Sequence, residues 1–311
     1  MHRSSLTALI IAVTAVALTA GYVTIGQHSA PTVTPSKLRI VATFYPLYDF
    51  ALNVAGDHAN VTVLVPETLD IHEFDPTPGD VLRVAEADVL VYNGVGLEPW
   101  VQSLIRAVGR PSLTVVDASE GVSFLQVAPQ FQRGNRTVDP HIWLDPVDAE
   151  TQVMNIARGL ARADPANAEV YVAGADAYVA RLESLNAEIR ANTTETKTRL
   201  FVTFHESFAY FAARYGLTQV PIQGPFQEEP TPSDIQRIVE KIRQNHLRYV
   251  GYESLENPAV PESIATQTEA TLVLMDPIEG LTSADRAAGL DYIALMRIDA
   301  RNIVEALNGV G

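Results

Sequence analysis

From residue 38 onward, short apolar, β-rich runs alternate with stretches in which apolar side chains recur every three or four positions. The first half of the chain offers LRIVATF (38–44), NVTVLVP (60–66), ADVLVYN (87–93) and SLTVVDA (112–118) as strands. The second half offers RLFVTF (199–204), LTQVPIQ (217–223), LRYVGYE (247–253) and ATLVLMD (270–276), with amphipathic segments such as SDIQRIVEKIRQNH between them. Strands that alternate with helices in this way predict βαβ units and parallel sheets with helices on their faces. Between the halves, from Pro146 to about Thr198, apolar residues keep helical spacing. Asp164-Pro165 reads there as an N-cap followed by a first-turn proline, so one helix ends before it and a longer one runs from Pro165 to about Ala191. At ~1.5 Å per residue the second helix is about 40 Å long. The pattern therefore predicts an α/β fold of two lobes, each with a roughly four-stranded parallel sheet flanked by helices, joined by one long rigid helix. The boundaries fall at 38–163 for the N-terminal lobe, 164–198 for the linking helix and 199–311 for the C-terminal lobe.

Residues 1–37 follow another pattern. After Met1, His2 and Arg3, the run LTALIIAVTAVALTAGYVTI from Leu6 to Ile25 carries no charge. About 20 such residues match the ~30 Å of a bilayer core. The run reads as a membrane anchor, with a cleaved signal as the alternative, since Ala15-Val16-Ala17 offers a small-residue cleavage site. In either case Arg3 on the short side places the remainder outside the cytoplasm. Residues 26–37, GQHSAPTVTPSK, read as a flexible, partly polyproline stalk. Over the whole chain, 22 basic against 37 acidic residues give a formal charge of -15, which disfavours nucleic acid and anionic lipid as partners and favours cations. The chain has no cysteine, which excludes disulfides, thiolate metal sites, thiol nucleophiles and a lipid-modified cysteine. Any metal must be held by nitrogen and oxygen.

Seven histidines are the candidates for that nitrogen. His2 and His28 lie in the targeting and stalk regions. His58 sits in the turn-like AGDHAN, and His246 in RQNHLRY ends a helix, where a cation suits the dipole. Two others, His72 in DIHEFDP and His205 in TFHESFA, are each followed by glutamate, the beginning of the zinc hydrolase motif H-E-x-x-H. Pro76 and Ala209 stand four places after those histidines, where the motif needs its second histidine, so neither motif is completed. What sets three histidines apart is position. His72 lies in the loop after the run ending at Pro66, His141 lies between Pro140 and Pro146, and His205 follows the run ending at Phe204. Asp276 ends the last predicted strand in the same way. Ligands of open parallel sheets bind outside the carboxyl ends of the strands, so His72, His141, His205 and Asp276 form a candidate site. Three imidazoles and a carboxylate suit zinc, and manganese or iron can use them as well. Trp143 reads as core, and Glu253 as a cap or loop acid.

The segments IVATFYPLYDFALNVAG, HEFDPTPGDV, NGVGLEPW, DPHIWLDP, FHESFAYFAARYGL and MDPIEG stand in the order found in one family. Over nearly all of residues 38 to 307 the chain resembles the zinc and manganese substrate-binding proteins of ABC-type importers. That resemblance implies two α/β lobes joined by a rigid helix, metal held between them by His72, His141, His205 and Asp276, and delivery of the ion to an ABC-type permease. In this family zinc binders carry histidine at the third ligand position and manganese binders typically glutamate, so His205 points to zinc. Many zinc binders also carry a His- and Asp-rich loop before the second ligand, whereas residues 121–137 contain neither type.

The resulting expectation is an extracytoplasmic, monomeric metal receptor that is not an enzyme. A manganese or iron receptor of the same family is the alternative. A secreted zinc hydrolase, with Glu73 or Glu206 as general base, and an adhesin that binds metal incidentally are the competing classes.

Overall fold

The computed structural model describes residues 37–310 apart from positions 133, 135 and 228, so the predicted anchor, its cleavage site and nearly all of the stalk lie outside the described residues. Among the described residues no helix is long and apolar enough to cross a membrane. The first half runs β1 (Leu38–Ala42), α1 (Tyr45–Ala55), β2 (Ala59–Val63), α2 (Pro78–Glu86), β3 (Val89–Tyr92), α3 (Val101–Val108) and β4 (Thr114–Asp117). Its four strands are all parallel, in the order β2-β1-β3-β4. Two helices follow, α4 (Pro146–Ala163) and the 27-residue α5 (Ala168–Thr194). Pro165–Asn167 form a 3-10 turn between them, so the long helix starts just after the predicted proline.

The second half runs β5 (Leu200–His205), α6 (Ala209–Tyr215), β6 (Thr218–Gln223), α7 (Pro232–Gln244), β7 (Tyr249–Tyr252), α8 (Ala259–Thr268), β8 (Thr271–Leu274), α9 (Ser283–Ala288) and α10 (Tyr292–Asn308). Each predicted run contains one strand, with its ends shifted. The expected four-stranded sheet appears as two hydrogen-bonded parallel pairs, β5 with β6 and β7 with β8. The pairs lie side by side at Gly251, where an added Cβ would sit 2.7 Å from the carbonyl oxygen of Val202. Only a glycine permits that approach. Local chemistry sets the helix starts: Thr77 and Thr231 each precede a proline and form a capping box with the aspartate three places on, Asp80 or Asp234.

Residues from Lys37 onward form one compact unit. Its main apolar core is continuous across both halves, from Ile40 and Val91 of the first sheet through Tyr178, Leu182 and Ile189 of α5 to Phe211 and Ile303. Separate apolar clusters around Val250 and Leu90 serve the second and first sheets. The long helix is therefore packed along its length rather than spanning solvent, and burial of its apolar stripe stabilises the junction of the halves.

One buried polar contact helps fix α5 to α1. The Tyr178 hydroxyl donates to Asp49 Oδ2 at 2.6 Å, and Asn53 Nδ2 donates to the same oxygen at 3.3 Å. Burial lifts the Asp49 carboxyl from its ordinary 3.8 to about 6, outweighing the hydroxyl's bond. A raised carboxyl pKa means that the folded state holds this proton more tightly than the unfolded one. Its contribution to stability is full below about pH 4 and is lost as pH rises through about 6. Asp49→Asn keeps an acceptor for Tyr178 and has no such loss. Its stability relative to the wild type should rise by up to about 3 kcal/mol between pH 4 and pH 7, as measured by urea unfolding across that range. A difference that stays flat with pH contradicts the assignment.

Candidate metal centre

Three histidines converge where the halves meet. His72 lies in a 3-10 turn (Ile71–Glu73) between β2 and α2, and its backbone N–H donates to Asp70 Oδ1 at 2.7 Å. His141 is held in a proline-bracketed loop by Asn93 at the end of β3, whose side-chain amide donates to the Pro140 carbonyl at 2.9 Å. Asn93 is in turn oriented by Gln152 of α4 at 2.9 Å. His205 closes β5 itself rather than following it, because the chain bends at once: the Ser207 N–H donates back to the His205 carbonyl, and α6 begins only at Ala209. The ring centroids are 5.0 Å apart for His141 and His205, 5.7 Å for His72 and His141, and 5.9 Å for His72 and His205.

The fourth group in the cluster is Glu279. One nitrogen from each of His72, His141 and His205 and one oxygen of Glu279 all lie within 4.8 Å of one another. Glu279 Oε1 is 3.3 Å from His72 Nε2, 3.3 Å from His141 Nε2 and 3.7 Å from His205 Nε2. Asp276, the carboxylate to which the sequence points, does not join them. Its Oδ2 accepts from the Ser254 N–H at 3.1 Å and from the Ser254 hydroxyl, and its Oδ1 accepts from the Ile278 N–H at 3.0 Å. Asp276 thus braces the turn after β8. Within that turn Ile278, buried and β-branched, adopts a φ of 59°, a left-handed conformation that costs about 1–3 kcal/mol. The kink faces the chain about, so the carboxylate three residues beyond Asp276 reaches the imidazoles.

The cluster is closed to solvent. The His141 and His205 side chains are 0% exposed and those of His72 and Glu279 5%. Contacts from both halves seal it. The Trp143 indole donates to the Pro277 carbonyl at 2.7 Å, and the Tyr210 hydroxyl donates to the Asp139 carbonyl at 2.8 Å. The Arg214 guanidinium pairs with Asp145 at 2.6 Å. Trp143 is buried core, as read from sequence, and also a tie between the halves. Two points of the segment before His141 are pinned as well: the Leu125 N–H donates to the Tyr210 hydroxyl at 3.1 Å and the Val127 N–H to the Thr137 carbonyl at 2.9 Å.

Two acids that the sequence does not single out as ligand partners complete the centre. Asp139 Oδ1 accepts from both the backbone N–H of His141, at 2.9 Å, and its ring Nδ1, at 2.8 Å. Glu253, read as a cap or loop acid, is instead buried against His205: its oxygens lie 2.8 and 2.9 Å from the ring Nδ1, and one also accepts the His205 N–H at 3.1 Å. Burial alone would lower His141, but Asp139 and Glu279 outweigh it and hold the imidazole up at about 9. For His205 burial dominates and takes it down to about 4. Burial also opposes the ionised form of Glu279, yet His72 and His141 beside it hold its carboxyl well below the usual range. Glu253 goes the other way, raised well above that range by burial and then by Glu279. One spacing did carry a signal, since Asp-x-His occurs at both Asp70-Ile71-His72 and Asp139-Pro140-His141.

A family described as ZnuA, zinc-uptake complex component A, periplasmic, matches residues 40–306. The chain belongs to this family. It is 30% identical over 270 residues to the high-affinity zinc uptake system protein ZnuA of Bacillus subtilis, covering 84% of this chain and 85% of that one. The fold is similar to that of Zn(II)-bound AdcA from Streptococcus pneumoniae, with a TM-score of 0.77 and 30% identity over 88% of this chain and 59% of AdcA. This chain thus spans about three fifths of that protein. It is also similar to the laminin-binding protein Lmb of Streptococcus agalactiae, described as bifunctional with adhesin and metal transporting activity, at a TM-score of 0.78 and 28% identity over 87% of this chain and 99% of Lmb.

The loops that carry His72 and Glu279 touch directly. An added Cβ on Gly280 would sit 2.0 Å from the Glu67 carbonyl oxygen, which also accepts the Leu281 N–H at 2.9 Å, and Glu67 pairs with Arg286. Gly280→Ala should therefore cost about 1–3 kcal/mol through overpacking. Gly79→Ala, whose nearest contact would be 3.5 Å, should be neutral or slightly stabilising. Denaturant unfolding of the two variants checks this, and equal effects contradict the close approach.

Proposed function

We propose that this protein is an extracytoplasmic receptor that captures one zinc ion through His72, His141, His205 and Glu279 and passes it to an ABC-type permease. The observation that carries the reading is the spacing of the four ligand atoms. A tetrahedral zinc with bonds of ~2.0–2.1 Å needs its ligands about 3.3–3.4 Å apart. Glu279 Oε1 lies 3.3, 3.3 and 3.7 Å from the three imidazole nitrogens, and His141 Nε2 lies 3.1 Å from His205 Nε2. These four of the six separations lie within about 0.4 Å of the tetrahedral value.

The same features favour zinc over manganese. Manganese takes oxygen-rich, six-coordinate sites more readily and stands below zinc in affinity for a given donor set. This site has three nitrogens and is closed to water. Closure also favours a carrier over the hydrolase reading, which requires an open coordination position and a general base. Glu279 fills the fourth position, and Glu73 is exposed to solvent. Membership of the family and the zinc-uptake role named for the Bacillus relative support delivery to a permease and a location outside the cytoplasm.

Zinc should bind one ion per chain and raise the melting temperature, adding about 2.7 kcal/mol of stability when free zinc is a hundredfold above its dissociation constant. His141→Ala and Glu279→Ala should lose most of that rise, Asp276→Asn should keep it, and manganese should compete poorly. Metal titrations and thermal melts on the four proteins check this. A melt unmoved by zinc, or manganese binding as tight as zinc, contradicts the reading. A rise that survives Glu279→Ala and is lost in Asp276→Asn moves the fourth ligand to Asp276.

A further inference from the structure

The three imidazoles are not held alike. In His141 and His205 the ring Nδ1 lies within 2.8 Å of a buried carboxylate oxygen, from Asp139 and Glu253 respectively, while Nε2 faces the centre. In His72 the corresponding aspartate, Asp70, reaches only the backbone N–H, and the ring Nδ1 is buried without a hydrogen-bond partner. Asp139 and Glu253 are 2% and 4% exposed, and each also accepts the backbone N–H of its own histidine, which fixes the carboxylate relative to the ring.

We infer that Asp139 and Glu253 are positioning residues for metal capture: each keeps a proton of its imidazole on Nδ1 and turns Nε2 toward the ion, which displaces any proton there on binding, so that two of the three rings are preset while His72 is oriented through Nε2 alone. The inference rests on the zinc reading of the centre. A metal-binding imidazole needs one nitrogen unprotonated, and a carboxylate on the other nitrogen fixes both the tautomer and the ring plane and increases the basicity of the ligand. Glu253 lies in the loop after β7 and Asp139 in the loop before α4, so each half of the molecule contributes one preset ligand. Without the carboxylate, the tautomer with the proton on Nε2 becomes available to His205, and in that form the ring cannot bind the ion.

The full chain carrying Glu253→Leu, Glu253→Gln or Asp139→Leu separates positioning from mere folding, with Asp49→Asn as a buried acid removed from the centre. Zinc affinity is read by competition with a chromophoric chelator. The tautomer is read in the zinc-free protein from the imidazole nitrogen shifts of 15N-histidine. Glu253→Leu and Asp139→Leu should each weaken zinc binding 10–100-fold, and the Nε2-protonated form of His205 should appear in Glu253→Leu. Glu253→Gln, whose carbonyl still accepts from Nδ1, should keep the wild-type tautomer and recover most of the affinity, and Asp49→Asn should bind as the wild type does. If one leucine variant fails to fold, the other leucine variant and the glutamine variant still decide. Wild-type affinity with an unshifted His205 signal in Glu253→Leu overturns the inference, as does a glutamine variant as weak as the leucine one. A wild type that takes up no zinc overturns the reading of the centre, whereas the nitrogen shifts judge the placement of the ring separately.

Discussion

Three imidazole edges and one carboxylate share a volume from which water is nearly excluded, and each is supplied by a different segment of the chain. An ionised carboxylate in such a place is costly unless charge and hydrogen bonds meet it. Glu279 meets that condition only by touching His72, His141 and His205 together. The contact spans both halves of the molecule, because His72 and His141 come from the first half and His205 and Glu279 from the second. Whatever disturbs the junction therefore disturbs the cluster.

Much of the surrounding structure serves that junction. The continuous apolar core along α5 supplies the non-directional part, and a set of directional ties lines up the loops. Asn93 fixes the loop of His141 from the first sheet, Trp143 grips the Pro277 carbonyl just before the kink at Ile278, and Tyr210 bridges Leu125 and Asp139. These groups are buried and satisfied, which makes their geometry expensive to change. The strained Ile278 persists because Asp276 and Trp143 hold the residues on its N-terminal side. Rigid framing of this kind suits a site that must hold its ligand atoms at the separation required by a small ion before the ion arrives.

How much of this was legible in the sequence follows from how local each signal is. The eight strands were readable because each is a short apolar run bounded by turn residues, and the long helix because Asp164-Pro165 marks its start. His72, His141 and His205 were readable because strand ends and prolines set them apart. Glu279 was not. Asp276 ends the last strand and has the more regular position, and nothing in the pattern of MDPIEG announces that a β-branched residue will take a left-handed conformation and present the later carboxylate. Glu253 lies 48 residues from the histidine it supports, with no periodic link between them. Asp139 did have a readable spacing to His141. The identical spacing at Asp70 ends at the backbone, which shows that the pattern alone does not tell which ring is supported.

The central claim is that one closed, four-ligand centre joins the two halves around a zinc ion. The most direct measurement is a crystal structure of the zinc-loaded protein with anomalous scattering recorded on both sides of the zinc edge. The account predicts one strong peak, ~2.0–2.2 Å from a nitrogen of each of His72, His141 and His205 and from an oxygen of Glu279, with Asp276 still bonded to Ser254. A peak bound by Asp276 in place of Glu279, or one lying away from the three histidines, would contradict it.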